Sequence, residues 1–288
     1  MEIFTCFFSF ALITFNSFLT LTLSKPTFFN FTTDQNALIA FKNTISVDGH
    51  VLNQNWSTNT SVCYWIGVSC GPKHQRVIAL NVSGLELKGT IAPHLGNLTF
   101  LRSLDISSNN LTGPIPPELS KLRRLKAINL ASNQLTGPIP NGMFSIPSLV
   151  NINMIDNRLS GKLPNDLCNT SQNLIKTIYL YDNQLHGQIP GNIFKCSQLE
   201  ELDLDNNHFN GNIPSEISSS PMLRILSLRS NQLQGGNTSF LFNISSIRVM
   251  DLSYNSLFGS IPTDTLYNLP EIQELYLANV NLTALDCF

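Results

Sequence analysis

Apolar and polar residues alternate along this chain in a pattern that returns at a fixed interval. The clearest copy spans residues 98–116 and reads LTFLRSLDISSNNLTGPIP, with leucines spaced three apart before a shorter alternation. In that alternation Leu104 and Ile106 flank the polar Asp105, which is the two-residue period of a half-buried β-strand. An N-x-L-x-G-x-I-P tail follows. The pattern therefore predicts a short strand and then a turn in every copy.

The asparagine of this tail gives the register of the copies. Its spacing is 24 residues, with two extra residues before Asn183 and one extra before the last copy. The position is held by Leu85, Asn109, Asn133, Asn157, Asn183, Asn207, Asn231, Asn255 and Val280. Self-similarity at a fixed period of this length is typical of repeat architectures.

Each residue type in the repeat has a physical reason. One repeat cannot bury its own leucines, whereas stacked repeats form a continuous core. A fully buried leucine or isoleucine contributes about 1.5–3 kcal/mol. The asparagine lies where the strand ends, and its amide can pair with backbone groups, as buried polar groups require. We therefore predict a structural asparagine ladder, formed by Asn109, Asn133, Asn157, Asn183, Asn207, Asn231 and Asn255.

The N-x-L-x-G-x-I-P tail resembles the plant-specific class of extracellular leucine-rich repeats. The resemblance covers almost everything after residue 30. It implies an α/β fold, namely a leucine-rich-repeat solenoid that curves into a superhelix with a concave parallel β-sheet. Short 3-10 or irregular segments would form the convex side. We expect about nine repeats in residues 74–288, with the last one incomplete.

The N-terminus carries an apolar run at residues 3–23, typical of a secretory signal peptide. Cleavage after Ser24 would leave residues 25–73 as an N-terminal cap. The run is also long enough to span a membrane, so a retained anchor is the alternative. The expected location is secreted or extracellular, or the plasma membrane if a full-length form carries a downstream membrane span.

The predicted cap combines a helix and a cysteine pair. Residues 32–46 have helical periodicity, and Thr32 with Gln35 suggests a capping box. The CYWIGVSC stretch that follows is similar to the N-terminal cap of plant leucine-rich-repeat receptors. That resemblance implies a disulfide between Cys63 and Cys70, which would staple a lid over the first repeat.

The other cysteines and the glycosylation motifs fit an extracellular protein. Cys196 takes a leucine position and suggests a buried thiol, while a Cys168–Cys196 bond is the alternative. N-x-[ST] acceptor motifs are frequent, and glycans would supply solubility. They occur at Asn30, Asn55, Asn59, Asn81, Asn97, Asn110, Asn169, Asn237, Asn243 and Asn281.

Composition and motifs argue against several functions. Charged residues make up 12% of the chain and the net charge is −2, so no nucleic-acid surface is expected. Lys121, Arg123, Arg124 and Lys126 form a basic cluster, which we interpret as solvated on the convex side. No metal-ligand spacing, phosphate loop or kinase motif set is present. We therefore expect no enzyme activity, no cofactor and no metal.

Candidate binding residues lie between the buried leucines, because side chains alternate faces along a strand. Most of these outward positions hold small residues in the first repeats. The middle repeats instead bring aromatic and charged residues together, as binding faces do. Ordinary surface variation is the alternative. The candidate ligand-binding residues are Tyr179, Tyr181, Glu201, Asp203, Asp205 and Arg229.

The cap sequences are most similar to receptor-like kinases of the immune group that senses bacterial proteins. In that group the inner face binds a peptide or protein ligand, and a co-receptor kinase joins the complex. The chain is thus interpreted as an N-terminal ectodomain portion, truncated, that acts in defence or signal perception. The alternatives are a soluble inhibitor of a microbial wall-degrading enzyme and a non-functional truncated product.

Overall fold

The computed structural model describes residues 31–46, 51–168, 173–236 and 238–284. The predicted signal peptide at residues 1–24 lies outside this part of the chain. So do three of the ten glycosylation motifs, at Asn30, Asn169 and Asn237.

The described chain opens with two helices, α1 (Phe31–Thr44) and α2 (Val51–Asn55), and a 3-10 turn at Val62–Tyr64. Leu38 and Phe41 of α1 are fully buried. The predicted capping box is wrong, because Thr32 lies within the helix and Gln35 donates its side-chain hydrogen bond to the carbonyl of Thr58.

A ten-stranded sheet, here called the principal sheet, runs through the whole described solenoid. Its first two strands are antiparallel and every later neighbour is parallel. The strands are β1 (Val68–Cys70), β2 (Val77–Asn81), β4 (Ser103–Asp105), β6 (Ala127–Asn129), β8 (Asn151–Asn153), β10 (Thr177–Tyr179), β12 (Glu201–Asp203), β14 (Ile225–Ser227), β16 (Val249–Asp251) and β18 (Glu274–Tyr276).

The predicted leucine positions build the core. The central residue is buried in β4, β6, β8, β10, β12, β14 and β16 and meets its counterpart in the next repeat, as Leu104 meets Ile128 and Ile128 meets Ile152. Each repeat therefore buries its apolar side chains only against its neighbours, as expected of a solenoid.

A second sheet was not predicted from the sequence. It forms where the N-x-L-x-G segments of successive repeats pair in parallel. Each glycine lies opposite the apolar residue of the next segment, as Gly113 does with Leu135 and Gly187 with Phe209. Its strands are β3 (Lys88–Thr90), β5 (Asn110–Pro114), β7 (Gln134–Gly137), β9 (Arg158–Gly161), β11 (Gln184–Gly187), β13 (His208–Gly211), β15 (Gln232–Gly235), β17 (Ser256–Ile261) and β19 (Asn281–Ala284). At Gly113 φ is +78°, a conformation that glycine adopts without steric strain.

Short 3-10 helices close most repeats on the side away from the principal sheet, as the sequence predicted. Three of them follow an I-P pair, whose proline is the N-cap residue (Pro116, Pro190 and Pro214) and has a fixed φ. The 3-10 helices span Pro93–Asn97, Pro117–Lys121, Gly191–Lys195, Ser215–Ser219 and Ser239–Asn243, while helix α3 (Thr265–Asn268) takes this place in the later repeat.

The asparagine ladder joins consecutive repeats through hydrogen bonds. The Nδ2 amide of Asn133 donates to the carbonyls of Ile106, Leu130 and Ala131 at 3.1 Å, and its Oδ1 accepts from the Leu111 N–H at 3.0 Å. Similar sets are made by the other members of the ladder. Most members are buried, with Asn157 and Asn255 half-buried. The side chains thus satisfy backbone groups that the turn leaves unpaired.

The residue before each ladder asparagine has left-handed backbone geometry. Its φ lies between 49° and 56° in all seven cases. These residues are Ser108, Ser132, Asp156, Asp182, Asn206, Ser230 and Tyr254. For a bulky side chain such as that of Tyr254 this is an uncommon conformation. The turn therefore holds its geometry through the ladder bonds, whatever residue type fills this position.

Two disulfides are present among the described cysteines. Cys63 pairs with Cys70, with Cα atoms 5.5 Å apart. Cys168 pairs with Cys196, with Cα atoms 5.2 Å apart. Cys196 is buried, as its leucine position predicted, but it is a disulfide partner and not a free thiol. This second bond connects the segment before residues 169–172 to the next repeat.

Candidate ligand-binding face

The candidate residues lie on the outer face of the principal sheet. In β10 and β12 the central residue is buried and the two flanking residues are half-buried, so Tyr179, Glu201 and Asp203 share one face. Tyr179 lies directly opposite Asp203 in the parallel register. Tyr181 and Asp205 continue the same face beyond the strand ends. Five of the six predicted residues therefore lie side by side on two adjacent repeats.

Tyr179 and Glu201 interact across the two strands. The phenol hydroxyl of Tyr179 donates a hydrogen bond to Oε2 of Glu201. Partial burial raises the pKa of Tyr179, and the hydrogen bond to Glu201 and the charges of Glu201 and Asp203 raise it further. The tyrosine thus stays protonated and holds the carboxylate of Glu201 at the sheet surface.

Asp203 is the most perturbed carboxyl group of this face. Burial raises its pKa from 3.8 to about 7, and the nearby charges of Asp205, Asp182 and Asp251 act in the same direction. The Asp205 backbone N–H donates to its Oδ1 at 3.1 Å and opposes the shift. Since like charges disfavour ionisation, Asp203 is in an environment that a cation would stabilise.

Asp205 connects two repeats. Its Oδ1 accepts the backbone N–H of Arg229 at 2.7 Å. Burial raises the pKa of Asp205, while hydrogen bonds from Ser227 and Arg229 and the charge of Arg229 lower it in part. Arg229 thus contributes a backbone donor and a nearby charge to the acidic group.

The Arg229 side chain itself lies elsewhere. Its guanidinium carbon is 5.1 Å from the ring centroid of Tyr254, on the following repeat. Arg229 is exposed, and within the described residues its guanidinium forms no ion pair with a carboxylate. Tyr254 could not be predicted from the sequence by comparing the outward strand positions of successive repeats. It lies just before the ladder asparagine and is not one of those positions.

Three further aspartates belong to the acidic face. Burial raises the pKa of Tyr181, and the charges of Asp203, Asp182 and Asp156 raise it further. Asp182 also accepts a hydrogen bond from the Asn206 amide at 2.8 Å. Asp251 influences both Asp203 and Asp205. The acidic face is here defined as Tyr179, Tyr181, Glu201, Asp203, Asp205 and these three aspartates, Asp156, Asp182 and Asp251.

Asp203 also has a structural role that it shares with other repeats. Its side-chain oxygen accepts a hydrogen bond from the backbone N–H two residues later. The same bond is made by Asp105, Asn129, Asn153 and Asp251. Aspartate and asparagine both make this local turn. Asn129 is half-buried, and its side-chain amide also donates to the Ser107 hydroxyl at 3.2 Å. A charge at Asp203 is not needed for the turn, so the charge is available for binding.

The described glycosylation motifs place their asparagines at the surface. All seven are exposed, as an acceptor must be. They are Asn55, Asn59, Asn81, Asn97, Asn110, Asn243 and Asn281. Asn81, at the end of β2, lies on the principal sheet at its N-terminal end. A glycan there would lie several strands away from the acidic face.

The described ranges contain no group of three or more His, Cys, Asp or Glu side chains arranged to hold a metal ion. Within those same ranges, no helix combines the length and apolar character needed to cross a bilayer.

Comparison with known families agrees with the repeat architecture. A model of the leucine-rich-repeat N-terminal domain matches residues 32–71. Leucine-rich-repeat models match residues 100–122, 124–146, 198–220 and 221–282. The chain belongs to the leucine-rich-repeat proteins.

Its relatives specify the class further. Over 74 residues, a quarter of this chain, it is 43% identical to the LRR receptor-like serine/threonine-protein kinase EFR of Arabidopsis thaliana. The aligned part covers 7% of that relative. The cap and repeats are thus of the type found in plant leucine-rich-repeat receptor-like kinases, of which the aligned residues span only a small part.

Solved structures share the fold. A plant ice-binding protein has a TM-score of 0.76 at 27% identity, over 87% of this chain and 80% of that one. The Arabidopsis receptor kinase HAESA, solved with the peptide hormone IDA and the co-receptor SERK1, has a TM-score of 0.53 at 26% identity, over 87% of this chain and 50% of that one. The fold is therefore that of the ectodomains of plant receptor kinases, which are binding modules.

Proposed function

We propose that this chain is an extracellular recognition module that binds a peptide or protein with basic residues on its acidic face, in defence or signal perception. The observation that carries the proposal is the cluster of half-buried carboxyl groups beside two tyrosines on β10 and β12. We place the module outside the cell, or at the plasma membrane in a longer form.

The electrostatics of the face favour a cationic ligand. The charges of Asp182, Asp205 and Asp251 raise the pKa of Asp203, and the charge of Asp251 raises that of Asp205, so negative charge on this face is incompletely compensated. A lysine or arginine of a ligand would relieve that repulsion, and complementary charge also speeds association. The tyrosines would supply contact area with few rotatable bonds.

The relatives support a peptide or protein ligand. HAESA is a receptor kinase of the same fold whose structure contains a peptide hormone and a co-receptor. By that analogy a co-receptor kinase is the second partner that we propose. The 43% identity to the receptor-like kinase EFR over a quarter of this chain supports a role in signal perception.

A substitution that removes two charges but keeps the size of the side chains tests the acidic face directly. The double variant Asp203→Asn/Asp205→Asn keeps the hydrogen-bond acceptors, and asparagine already makes the same turn in two other repeats. With a fluorescein-labelled hexalysine peptide as probe, we expect the variant to bind at least about tenfold more weakly, since losing even one hydrogen bond to a charged group costs about 1.5–3 kcal/mol. Fluorescence anisotropy at low and at physiological salt gives the Kd values.

A matched control separates a specific site from general charge. The variant Glu216→Gln/Asp264→Asn removes the same charge from exposed positions outside the acidic face. We expect it to bind the probe like the parent protein. Equal weakening in both double variants, or none in either, would show that the acidic face is not the binding site.

Ice binding is the second candidate function, since a plant ice-binding protein shares the fold over most of its length. A crystal surface repeats regularly, so it is matched best by one side-chain type repeated along the solenoid. From β3 to β13 of the second sheet, the outward position before the glycine is held in turn by Lys88, Thr112, Thr136, Ser160, His186 and Asn210. This irregular face favours peptide binding, and an ice-recrystallisation assay distinguishes the two functions.

A further inference from the structure

The N-terminal part of the solenoid has the opposite charge to the acidic face. Between residues 71 and 126, lysine and arginine outnumber aspartate and glutamate eight to three, although the whole chain has a net charge of −2. A molecule with this separation of charge presents a positive potential at one end and a negative potential on its middle repeats.

Several of these cations converge on one aromatic ring. The guanidinium carbons of Arg76 and Arg124 lie 4.7 Å and 4.2 Å from the centroid of the Phe100 ring, and the His74 ring is 6.0 Å from it. They line a recess of about 320 Å³, together with Lys73 and Arg102. Cations over an aromatic face are stabilised and oriented by the ring. The basic cluster around Arg124 is thus not simply a solvated stretch.

One of these charges is already matched. Arg76 is buried and donates two hydrogen bonds to the Asp34 carboxylate, at 2.8 Å and 2.7 Å. Lys73, Arg102 and Arg124 are exposed, and none of them has a carboxylate within 4.0 Å in the described part of the chain. The recess therefore has a fixed wall and three uncompensated cations at its edge.

We propose that this recess is an anion-binding site, which docks an acidic segment of a protein partner through its carboxylates. Arg102 and Arg124 would each hold a carboxylate with paired N–H donors, a geometry that the guanidinium group suits better than an ammonium does. Lys73 would add a flexible point charge. The site lies at the cap, apart from the acidic face on β10 and β12.

The arrangement favours a compact acidic segment over a linear acidic polysaccharide. A polyuronate would need a row of cations that continues along the strand edge. That row runs from Arg102 to Lys126, but the next position is Val150, and Lys176 beyond it is paired with Glu200 at 2.6 Å. The cations instead surround one recess, whose volume suits one or two acidic side chains.

The test uses a fluorescein-labelled hexaglutamate peptide and the full chain. Arg102→Gln/Arg124→Gln removes two exposed donors and leaves the buried Asp34–Arg76 pair intact. We expect this double variant to lose about tenfold or more in affinity at low salt, because each charge-assisted bond is worth roughly that factor. Arg158→Gln/Lys195→Gln changes the net charge equally at exposed sites outside the recess. Repeated at physiological salt, where charges more than about 8 Å from the probe are largely screened, the titration should give an affinity for this control within about twofold of the parent protein.

Two further arms complete the experiment. Phe100→Leu keeps all cations but removes the ring that orients two of them, and we expect about a threefold loss. An oligogalacturonide of the same charge is the second probe. Tighter binding of the oligogalacturonide than of hexaglutamate, or equal loss in both double variants, overturns the proposal. Since the hexalysine experiment uses other residues and the opposite charge, failure at one site leaves the other unaffected.

Discussion

Asp34 and Arg76 form a buried ion pair that fastens the cap helix to the first long strand of the solenoid. Both side chains are almost fully buried, at 2% and 3% exposure. Asp34 accepts two hydrogen bonds from Arg76 and one from the Val77 N–H at 2.9 Å. The three bonds join α1 to β2 across more than 40 residues of sequence.

The first prediction follows from that pair. Asp34→Asn leaves the guanidinium of Arg76 buried without its counter-charge, so we expect a loss of about 3–5 kcal/mol in the free energy of unfolding. Chemical denaturation measures the loss, and hydrogen exchange should show that α1 opens first. As a control, Lys176→Met breaks the exposed pair with Glu200 and should cost about 1 kcal/mol or less. Equal losses in the two variants would argue against an anchoring role for Asp34.

The asparagine ladder gives a second prediction. Asn133→Leu removes the side-chain acceptor of the buried Leu111 N–H, and an unpaired buried group costs about 1–3 kcal/mol. It also removes one of the two donors to each of three backbone carbonyls. Asn129→Ala removes two weaker bonds at a half-buried position. We therefore expect Asn133→Leu to be clearly the more destabilising of the two in parallel denaturation series. The reverse order would be incompatible with the assigned register.

The two disulfides should differ in their contribution to stability. A disulfide constrains the unfolded chain more when it closes a longer loop. Cys168–Cys196 spans 28 residues and Cys63–Cys70 spans seven. Loop-closure entropy predicts losses of about 3.5 and about 2.5 kcal/mol when each pair is changed to serine. Calorimetry of the two double variants checks this order, and a larger loss for the Cys63–Cys70 pair would contradict it.

The acidic face makes stability depend on pH. Folding raises the pKa of Asp203 from 3.8 to about 7, because the native state buries the carboxyl group among other acids. The native state therefore binds this proton more strongly than the unfolded chain does. The stability contributed by this group is complete below pH 3.8 and is lost as the pH rises through about 7.

The variant Asp203→Asn tests this pH dependence. It should flatten the decrease in unfolding free energy over that range, since asparagine does not titrate. Asp105→Asn makes the same substitution in the same local turn outside the acidic face. We expect its pH profile to follow that of the parent protein. A parent-like profile for Asp203→Asn would show that other groups cause the dependence.

The register of the repeats could be predicted from the sequence because it depends on local spacing. The positions of Leu104, Ile128 and Ile152 follow directly from a 24-residue period, and so do the ladder asparagines. The second sheet was missed, since its strands contain glycine and only one buried position, which is a weak β-strand signal. Pairing between repeats, rather than intrinsic propensity, forms these strands.

Only part of the candidate binding site could be predicted from the sequence. Comparing equivalent positions of successive repeats predicted that Tyr179, Asp203 and Asp205 lie close together, and in the structure they lie on neighbouring repeats. It could not show that the Arg229 side chain lies against Tyr254, because the two occupy different positions in their repeats. The Asp34–Arg76 pair was also missed, since no periodicity relates a residue in the cap helix to one outside the repeat pattern.

Every side-chain hydrogen bond of a ladder asparagine ends within its own repeat or the one before it. Asn133, for example, reaches back to Ile106 and Leu111 and no further. An in-frame gain or loss of one 24-residue unit would therefore leave each remaining asparagine with a complete set of partners. Genes for such a chain can lengthen or shorten by unequal crossing-over without passing through an unfolded product, while the surface that meets a ligand is rearranged one strand at a time.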